Sequence, residues 1–443
     1  MRARTVRREV GADTPLSPVA VFDGIDADVV LENGERGWDA TYVAAEPVDT
    51  FEYLRERDGN EGCFERLGRW LDDLPETEEP LAPGAYGFVG YDASKETEEV
   101  PDDTERDFEV PDAWFGFYDT VAVLGDDGAY VEAVEHDGQS AQPEERAKRF
   151  VELIETLEST DETAEVSKAT ERRSNFERDG YEKAVRRVKE RIREGETFQA
   201  NISQRLSFES DASALALYAR LRETNPAPYM GLIDRDGWSV VSSSPELLVR
   251  AEGDSLRTRP IAGTRPRGER EREDEAMRDE LAANEKERAE HSILVDLARN
   301  DLGKVARYGT VEVESFMDVV PYSEVHHLES VVTAERRDGT DSLDALRAVF
   351  PGGTVTGAPK PRTLRIIEDV EPTERGPYTG SMGRFSLNGD AIFNILIRTA
   401  VRDGDTYHLQ VGGGVVHDSE PAREYEETLQ KARGVLNALE DRE

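Results

Sequence analysis

Cysteine and long apolar segments are almost absent from this sequence of 443 residues. The one cysteine, Cys63, excludes an intrachain disulfide and a metal cluster built on cysteines. No apolar run approaches the roughly 20 residues that a membrane-spanning helix needs. The first ten residues, MRARTVRREV, are basic but contain no apolar segment, so we expect no secretory signal. These absences predict a cytoplasmic protein that does not insert into a membrane.

Positive charge is also scarce. The chain has 95 acidic residues against 55 lysines and arginines, which gives a formal net charge of -40 and a sequence pI of about 4.6. Such a surface repels nucleic acids and anionic membranes, so it excludes both as partners. We interpret the composition as an adaptation to high salt, where screening removes most of the self-repulsion.

The length exceeds that of one typical domain, so we expect two intertwined lobes that share a large core. We predict an N-terminal lobe over residues 1–157, an acidic linker over 158–178 and a catalytic lobe over 179–443. The linker is assigned to this stretch because it is polar and has few apolar residues.

Apolar periodicity predicts many short strands with helices interspersed between them. The predicted elements include a strand in V-A-V-F at 19–22, one strand over Trp114–Leu124, a helix at Pro143–Leu157 and one strand over Asp390–Val401. Strands and helices do not alternate regularly. The pattern therefore favours an α+β fold with antiparallel sheets over a doubly wound fold.

Two predicted helices each carry paired carboxylates on one face. One helix is expected from about Glu273 to Arg299, and its Glu287 and Glu290 lie three residues apart. A second is expected at Glu420–Leu439, with one face formed by Glu424, Glu427 and Lys431. Paired carboxylates on two helices suit a hard divalent cation, and Mg²⁺ is our prediction. Two solvated acidic faces would explain the spacing equally well.

Other residues suggest a site for an anionic small molecule. The backbone of Gly412, Gly413 and Gly414 could bind a carboxylate. Arg398 belongs to a buried-looking strand, where its charge needs either a substrate carboxylate or an internal ion pair. His326 and His327 are neighbours on a strand, so at most one of them enters a given site. The loop Gly352–Lys360 lacks the Gly-Lys-Ser/Thr ending of a phosphate loop, which argues against nucleotide binding.

Six motifs in order resemble those of the chorismate-utilising enzymes. They are R-P-I-A-G-T-R-P-R-G, N-E-K-E-R-A-E-H-S-I-L-V-D-L-A-R-N-D, V-H-H-L-E-S, G-A-P-K, I-R-T-A-V and E-Y-E-E-T-L-Q-K-A-R. The resemblance is dense over about residues 180–440 and loose before them. It implies two large antiparallel β-sheets packed as a sandwich and flanked by helices, with the active site in a cleft between the sheets.

The resemblance also implies a role for each matching residue. Glu290 and Glu427 match the Mg²⁺ ligands, which Glu287 and Glu424 support, and the metal would hold the ring carboxylate of chorismate. The enolpyruvyl end would be held by Arg398, Tyr378 and the backbone of Gly412–Gly414. Further substrate contacts match Lys431 and Thr264. His327 matches a histidine near the C4 hydroxyl, and Glu246 matches a carboxylic acid on the opposite side of the ring.

The nucleophile is predicted from Gln199. Isochorismate and salicylate synthases have a water-activating lysine at the matching position, and glutamine cannot serve as a general base. Ammonia is therefore favoured over water as the nucleophile. It normally comes from glutamine through a glutaminase with a cysteine nucleophile. No such domain is recognised in this sequence and Cys63 has the wrong context, so we expect a separate glutamine amidotransferase subunit.

Two ammonia-using branches remain. Aminodeoxychorismate synthases often have a lysine within P-I-x-G-T, where this chain has Ala262, as in the anthranilate branch. More stretches resemble the aminodeoxychorismate branch, namely F-Q-A-N-I-S-Q-R, N-P-A-P-Y, S-S-S-P-E, P-Y-S-E-V-H-H-L, P-G-G-T-V-T-G-A-P-K and Y-T-G-S-M-G. We predict amination to 4-amino-4-deoxychorismate, a step towards 4-aminobenzoate and folate. The alternative is component I of an anthranilate synthase, which serves tryptophan biosynthesis.

The resemblance also offers a tryptophan pocket in the first lobe. Its residues would be Leu31, Glu32 and Asn33, with Pro228, Tyr229 and Met230 opposite. Asn33 replaces the usual serine, and a plain β-turn before Gly34 explains the stretch as well.

Two hypotheses outside this family are less consistent with the residues. A metal-free scaffold is disfavoured because buried Glu pairs, Arg398 and Lys431 are costly without a ligand. A di-metal oxidase would need two Glu-x-x-His motifs on a helical bundle.

Overall fold

Strands and helices occupy similar shares of the chain. The computed structural model describes residues 4–11, 16–34, 40–59, 61–98, 100–101, 103–136, 141–157, 172–268, 270–322 and 325–439. In chain order the strands are β1 Thr5–Glu9, β2 Val29–Asn33, β3 Ala40–Ala44, β4 Asp49–Tyr53, β5 Gly84–Val89, β6 Ala113–Tyr118, β7 Thr120–Gly125, β8 Gly128–Val134, β9 Arg173–Ser174, β10 Gln199–Glu209, β11 Tyr229–Arg235, β12 Trp238–Ser244, β13 Leu247–Glu252, β14 Ser255–Thr258, β15 Ile261–Pro266, β16 Glu312–Pro321, β17 Val325–Glu335, β18 Gly357–Ala358, β19 Ser381–Ser386, β20 Ala391–Asn394, β21 Thr399–Asp403 and β22 Thr406–Val415.

The helices follow the same chain order. They are α1 Pro18–Gly24, α2 Arg55–Asp58, α3 Cys63–Asp72, α4 Ser94–Thr97, α5 Pro143–Glu155, α6 Arg178–Arg193, α7 Ala214–Thr224, α8 Glu271–Ala283, α9 Glu285–Gly303, α10 Ser342–Val349, α11 Lys360–Val370 and α12 Pro421–Leu436. Among the helices that the structure describes, none is both long and apolar enough to cross a bilayer.

The strands form two large antiparallel sheets. The first sheet has 12 strands in the order β1-β8-β7-β3-β2-β11-β12-β21-β22-β10-β18, with β9 beside β10. The second sheet has 10 strands in the order β15-β17-β14-β13-β20-β19-β5-β6-β4, with β16 beside β17. Both sheets combine strands from before and after residue 158, so the two halves of the chain share their sheets. Most of the predicted linker, residues 158–171, lies outside the described residues, and the domain boundaries stay a prediction.

The main core lies between the two sheets. Phe88 of β5 and Trp114 of β6, both in the second sheet, place their rings 5.7 and 5.8 Å from that of Trp238 in β12 of the first sheet. Apolar residues of α5, α7 and α12 cover the outer face of the first sheet, and those of α3, α9 and α10 cover the second. The predicted α+β sandwich with flanking helices is therefore confirmed.

Two predicted strands are each divided between the sheets. The stretch Trp114–Leu124 was expected to be one strand, but β6 ends at Tyr118 in the second sheet and β7 begins at Thr120 in the first. The stretch Asp390–Val401 divides in the same way into β20 and β21. The apolar pattern continues through both crossings because each strand enters the same core. Periodicity therefore could not reveal the change of sheet.

Two further predictions needed correction. V-A-V-F at 19–22 forms α1 rather than a strand, since Pro18 occupies the first helical position and Ser17 caps the helix through Val19 N. The single helix predicted from Glu273 to Arg299 is in fact α8 and α9. Asn284 separates them, and its side chain accepts a hydrogen bond from Glu287 N at 3.1 Å.

Candidate active site

Strands of both sheets and helix α12 surround a cavity of about 430 Å³. β10 and β22 contribute from the first sheet, and β15 and β17 from the second. Nine of the residues singled out from the sequence line it together: Pro228, Glu246, Ala262, Thr264, His327, Tyr378, Arg398, Gly412 and Lys431. The cavity is large enough for a small organic molecule, and its lining is rich in polar side chains.

The two acidic helices border this cavity. A Cβ placed on Gly263 would lie 3.1 Å from Glu287 Oε2 of α9, and one on Gly413 would lie 3.3 Å from Glu424 Oε2 of α12. The same Gly413 position is 3.9 Å from Glu427 Oε1. The bare glycine backbone therefore lets carboxylates of both helices approach the cavity wall.

These carboxylates have the electrostatics of a cation site. Burial raises the pKa of Glu290, and the charges of Glu287 and Glu424 raise it further. Burial also raises the pKa of Glu424, with the neighbouring Glu427 adding to the shift. Glu290 Oε1 is buried without a hydrogen-bond partner among the described residues. Hard anionic oxygens that repel one another fit Mg²⁺.

The four carboxylates are not gathered into a ligand set in this structure. Within the described part of the chain, no three His, Cys, Asp or Glu side chains are close enough together to coordinate one ion. Glu287 pairs instead with Arg265 at 3.3 Å, and Glu427 with Lys431 Nζ at 2.9 Å. Glu290 Oε1 also pairs with Lys286 Nζ at 3.6 Å. Coordination would therefore require these ion pairs to open.

Arg398 has an unusual backbone and an unpaired side chain. It lies where the chain crosses from β20 to β21, with a φ of 51°. Its guanidinium has no hydrogen bond or ion pair among the described residues, and burial lowers its pKa. The internal ion pair considered from the sequence is thus not found in the described structure. A half-buried guanidinium that lines a cavity without an ion pair in the described part of the chain suits a carboxylate ligand.

His327 and Glu246 lie in the same cavity in opposite protonation states. The His327 Nδ1 is 3.2 Å from the carbonyl oxygen of Gly263, which can only accept, so Nδ1 carries the proton. Its Nε2 is buried and unpartnered within the described structure, and burial lowers the pKa of the ring to about 4. Burial raises the pKa of Glu246 to about 7. The cavity therefore offers a neutral imidazole and a carboxylic acid.

Gly412 leaves space for the polar groups around it. A Cβ there would lie 2.5 Å from Asn201 Oδ1 and 2.8 Å from the Tyr378 hydroxyl. Its carbonyl oxygen accepts a hydrogen bond from Lys431 Nζ at 3.0 Å. Any larger residue would displace Asn201 or Tyr378.

Gln199, Gly413 and Gly414 lie beside the cavity rather than on its lining. Gln199 is buried on β10, and a Cβ on Gly414 would lie 2.4 Å from its Nε2. Ala262 does line the cavity, next to Gly263, and presents a methyl group with no nucleophilic atom.

Several polar lining residues were not selected from the sequence, among them Asn201, Tyr322, Thr354 and Gln410. The first three belong to stretches that carried the family resemblance, where one residue could not be ranked above its neighbours. Gln410 could have been predicted from the sequence, because strand alternation places it on the same face as Gly412.

The predicted tryptophan pocket is small. Leu31, Glu32, Asn33, Tyr229 and Met230 line a space of about 30 Å³, against about 430 Å³ in the main cavity. The carboxylate of Glu32 accepts hydrogen bonds from Tyr218 and Arg222. Pro228 lines the main cavity instead. Tryptophan binding stays a prediction, and it would require these side chains to move.

The fold and the cavity together define a class of protein, an α+β sandwich enzyme with a polar small-molecule site between its two sheets. A family model described as chorismate binding enzyme matches residues 27–437. The chain belongs to this family of chorismate-binding enzymes, as its motifs predicted.

Named relatives fall in two groups. Anthranilate synthase component 1 1 of Haloarcula marismortui is 43% identical over 425 residues, which cover 92% of this chain and 86% of that protein. Aminodeoxychorismate synthase component 1 of Bacillus subtilis is 40% identical over 430 residues, which cover 96% of this chain and 88% of that protein. The two names do not decide between the branches.

Solved structures agree with the fold. Anthranilate synthase component I from Streptococcus pneumoniae superposes with a TM-score of 0.80 at 30% identity, over 90% of this chain and 92% of that one. The menaquinone-specific isochorismate synthase MenF of Escherichia coli gives a TM-score of 0.79 at 20% identity, over 99% of this chain and 95% of that one. The second likeness concerns the fold alone.

Proposed function

We propose that the protein aminates chorismate with ammonia in a Mg²⁺-dependent reaction. The observation that carries this proposal is the cavity itself, in which an unpaired Arg398, a His327 whose pKa is lowered by burial and a Glu246 whose pKa is raised by burial line one polar space. Chorismate is a dicarboxylate whose C4 hydroxyl must leave as water. It needs a cationic anchor and a proton donor, and the cavity supplies both.

Substrate binding is assigned to side chains that line or border the cavity. Arg398 and the Tyr378 hydroxyl would hold the enolpyruvyl carboxylate, together with the backbone of Gly412–Gly414. Lys431 and Thr264 would make further contacts. Glu290 and Glu427, supported by Glu287 and Glu424, would hold the Mg²⁺, which when bound supplies positive charge against the ring carboxylate.

Departure of the C4 hydroxyl is assigned to Glu246 and His327. Glu246 is protonated below about pH 7, so it can donate the proton that turns the hydroxyl into water. His327 Nε2 is free to accept the hydrogen bond of that hydroxyl and orient it. The neutral imidazole does not compete with Arg398 for the substrate carboxylate.

Ammonia as nucleophile is supported by Gln199. A carboxamide cannot remove a proton from water, whereas ammonia is nucleophilic without a base. The only cysteine, Cys63, is fully buried, and burial raises its pKa well above its ordinary value. A thiol in that setting is inert, so glutamine hydrolysis is assigned to a separate amidotransferase subunit.

For the product we propose 4-amino-4-deoxychorismate, with water as the other product and the enolpyruvyl group retained. Support comes from the cavity wall, since the stretches that resemble the aminodeoxychorismate branch line it. Asn225 to Pro228 come from N-P-A-P-Y, Tyr322 and His327 from P-Y-S-E-V-H-H-L, and Thr354 from P-G-G-T-V-T-G-A-P-K.

Anthranilate is the second candidate product, and Ala262 is the observation that favours it. The methyl of Ala262 lines the cavity and cannot form a covalent bond to C2 of the ring. Ammonia could then add at C2 as the hydroxyl leaves from C4, after which loss of pyruvate gives the aromatic amine. To reach C4 this chain needs another nucleophile at C2, which water or ammonia would have to supply.

Product identification tests the proposal. The purified chain would be given chorismate, Mg²⁺ and an ammonium salt, with and without an aminodeoxychorismate lyase. We expect 4-aminobenzoate when the lyase is present and little fluorescent anthranilate without it. Ala262→Lys should keep or raise that activity. Anthranilate as the main product would reverse the choice of branch, and no ammonium-dependent consumption of chorismate would reject amination and favour a scaffold.

A further inference from the structure

We infer that Tyr322 is a positioning residue for His327 and that it holds the imidazole so that Nε2 faces the C4 hydroxyl of the substrate. The inference rests on the proposed function, in which His327 accepts the hydrogen bond of that hydroxyl. Three observations support it: the place of Tyr322 between two cavities, its ring contact with His327 and the anchored position of its hydroxyl.

Tyr322 separates the candidate active site from a second cavity of about 650 Å³. The residue lines both spaces. One face of β17 borders the two cavities in turn, because side chains two residues apart share a face. Val325 and His327 line the active-site cavity. Glu329 and Val331 line the second one. The boundary therefore falls between His327 and Glu329, and Tyr322 contacts both of them.

His327 is held by hydrogen bonds at one ring nitrogen among the described residues. Its Nδ1 lies 3.2 Å from the carbonyl oxygen of Gly263 and 3.2 Å from Thr264 Oγ1, and its Nε2 is buried without a partner there. The outer torsion of a histidine side chain is broad, so an anchor at Nδ1 does not fix the tilt of the ring. The ring of Tyr322 supplies the second contact, with centroids 5.2 Å apart and planes at 72°.

The Tyr322 ring is itself held through its hydroxyl. That hydroxyl donates a hydrogen bond to Glu329 Oε1, and Arg259 Nε lies 3.9 Å from the other oxygen of the same carboxylate. Burial raises the pKa of Tyr322 and the charge of Glu329 raises it further, so the hydroxyl keeps the proton that it donates. Because the open space of the second cavity borders the ring, loss of this hydrogen bond would let the ring turn away from His327.

The backbone of Tyr322 is fixed as well. Its N–H donates to the carbonyl oxygen of Val325 at 2.8 Å, and its own carbonyl oxygen accepts from Arg267 Nη1 at 2.8 Å. Arg267 is in turn held by Asp274 at 2.7 Å. These bonds leave only the side-chain torsions of Tyr322 free, and the bond to Glu329 restrains them. The arrangement fixes an aromatic ring against the imidazole.

Substitutions separate the ring of Tyr322 from its hydroxyl. Tyr322→Phe keeps the ring and removes the hydroxyl, and Tyr322→Leu removes the ring. Glu329→Gln is the conservative variant, because its amide oxygen can still accept from Tyr322. For each variant, kcat and the KM for chorismate would be measured at saturating ammonium and without tryptophan.

Tyr218→Phe is the matched control. The Tyr218 hydroxyl also donates to a glutamate, Glu32, which pairs with Arg222 at 2.8 Å. None of these three residues lines the active-site cavity. The variant therefore removes the same kind of hydrogen bond without touching His327.

The imidazole can also be observed without turnover. Protein labelled with ¹⁵N-histidine would report the His327 ring nitrogens by NMR, with the signals assigned through His327→Gln. The wild type should give the signal of one unprotonated Nε2. In Tyr322→Leu that signal should broaden or shift, because the ring adopts further orientations.

We expect Tyr322→Phe to lower kcat about tenfold, which is the size of one lost hydrogen bond. The KM for chorismate should stay within about twofold, since the hydroxyl acts on His327 and not on bound substrate. Glu329→Gln should keep most of the wild-type kcat, and Tyr218→Phe should keep all of it.

Several results would overturn the inference. They are an unchanged kcat in folded Tyr322→Phe, an unchanged His327 signal in Tyr322→Leu, and an effect confined to the chorismate KM. An equal loss of kcat in Tyr218→Phe would also overturn it, by assigning the loss to general destabilisation. If the wild type did not aminate chorismate while the His327 signal still responded to Tyr322→Leu, the proposed function would fail and the positioning of the ring would stand.

Discussion

At the scale of single residues, the candidate site gathers several polar groups without a partner in one cavity. Elsewhere buried charges are paired, as Lys360 is with Asp301 at 2.6 Å and Arg375 with Glu371 at 2.7 Å. In the cavity, Arg398 and the free atoms of Glu246 and His327 face one another without an ion pair among the described residues. Since burying an unpaired polar group is costly, these positions indicate where a ligand binds.

The pKa of Glu246 leads to the first prediction, a loss of turnover on the alkaline side. The pKa is raised from 4.5 to about 7, so the carboxylic acid is present below about pH 7 and is lost as the pH rises through that value. His327, with a pKa of about 4, stays neutral throughout. We expect kcat at a fixed concentration of free ammonia to fall above about pH 7.

Glu246→Gln is the control for this profile. It should lower kcat by about 100-fold or more and flatten the alkaline fall, since the amide does not titrate. An alkaline fall that persists in this variant would assign the titration to another group.

Glu290 leads to the second prediction, which separates metal binding from folding. Glu290→Gln keeps the shape but removes a buried negative charge that other carboxylates repel. We expect a higher thermal midpoint than wild type without Mg²⁺, no further rise when Mg²⁺ is added, and no Mg²⁺-dependent turnover. Glu427→Gln should also abolish that turnover.

The control for the metal site is Glu426→Gln on the same helix as Glu427. Glu426 pairs with Arg178 at 2.9 Å on the exposed side of the helix. The Glu426→Gln variant should keep both the Mg²⁺-dependent turnover and the thermal stabilisation by Mg²⁺. Near-normal turnover in both Glu290→Gln and Glu427→Gln would reject the metal site.

At the scale of secondary structure, the junction between α8 and α9 decides where two of the carboxylates lie. The charged run Glu273–Arg299 has no proline or glycine to mark an end, so the pattern predicts one helix. The helix is interrupted at Asn284. The side-chain oxygen of Asn284 accepts the hydrogen bond of Glu287 N, which a backbone carbonyl would accept in a continuous helix. Glu287 and Glu290 then fall in the first two turns of α9, where they face Gly263 and α12.

The third prediction concerns this junction. Asn284→Ala removes the cap and should lower the free energy of unfolding by about 1 kcal/mol. It should also raise the Mg²⁺ concentration needed for half-maximal thermal stabilisation, because α8 and α9 could join and turn the carboxylates away. Asp341→Ala removes the cap of α10, which carries none of these carboxylates. We expect Asp341→Ala to lose a similar amount of stability and to leave the required Mg²⁺ concentration unchanged. If both variants required the same Mg²⁺ concentration, the role given to Asn284 would be contradicted.

At the scale of the whole molecule, the charge of -40 opposes folding and the buried ion pairs favour it. Arg55, Lys95 and Arg106 meet Asp92, Asp112, Glu368 and Glu374 in a buried cluster that joins early and late parts of the chain. Salt screens exposed charges strongly and buried pairs weakly. The repulsion should therefore weaken in salt while the cluster persists.

The fourth prediction follows from this difference. Raising KCl from about 0.1 M to about 1 M shortens the screening length from about 10 Å to about 3 Å, so we expect the thermal midpoint to rise. Sucrose at equal osmolarity controls for effects that do not depend on charge. A midpoint that stays level or falls with KCl would argue against adaptation to high salt.

The fifth prediction concerns the partner. The chain alone should use ammonium but not glutamine, and glutamine should become a substrate only when a glutaminase subunit is added. Cys63→Ser should leave both results unchanged, since this buried thiol has no part in them. Glutamine-dependent turnover by the purified chain would contradict the assignment.

The sequence by itself determined the family, the α+β class and several of the residues that line the cavity, because motifs and periodicity depend on local order along the chain. It could not show that Trp114–Leu124 and Asp390–Val401 each cross between sheets, since both sheets face one core and impose the same apolar pattern. Only the tertiary structure decided that Arg398 is unpaired and that the carboxamides of β10 lie over the glycines of β22. Those properties depend on which distant strands become neighbours, and that is set by packing of the whole chain.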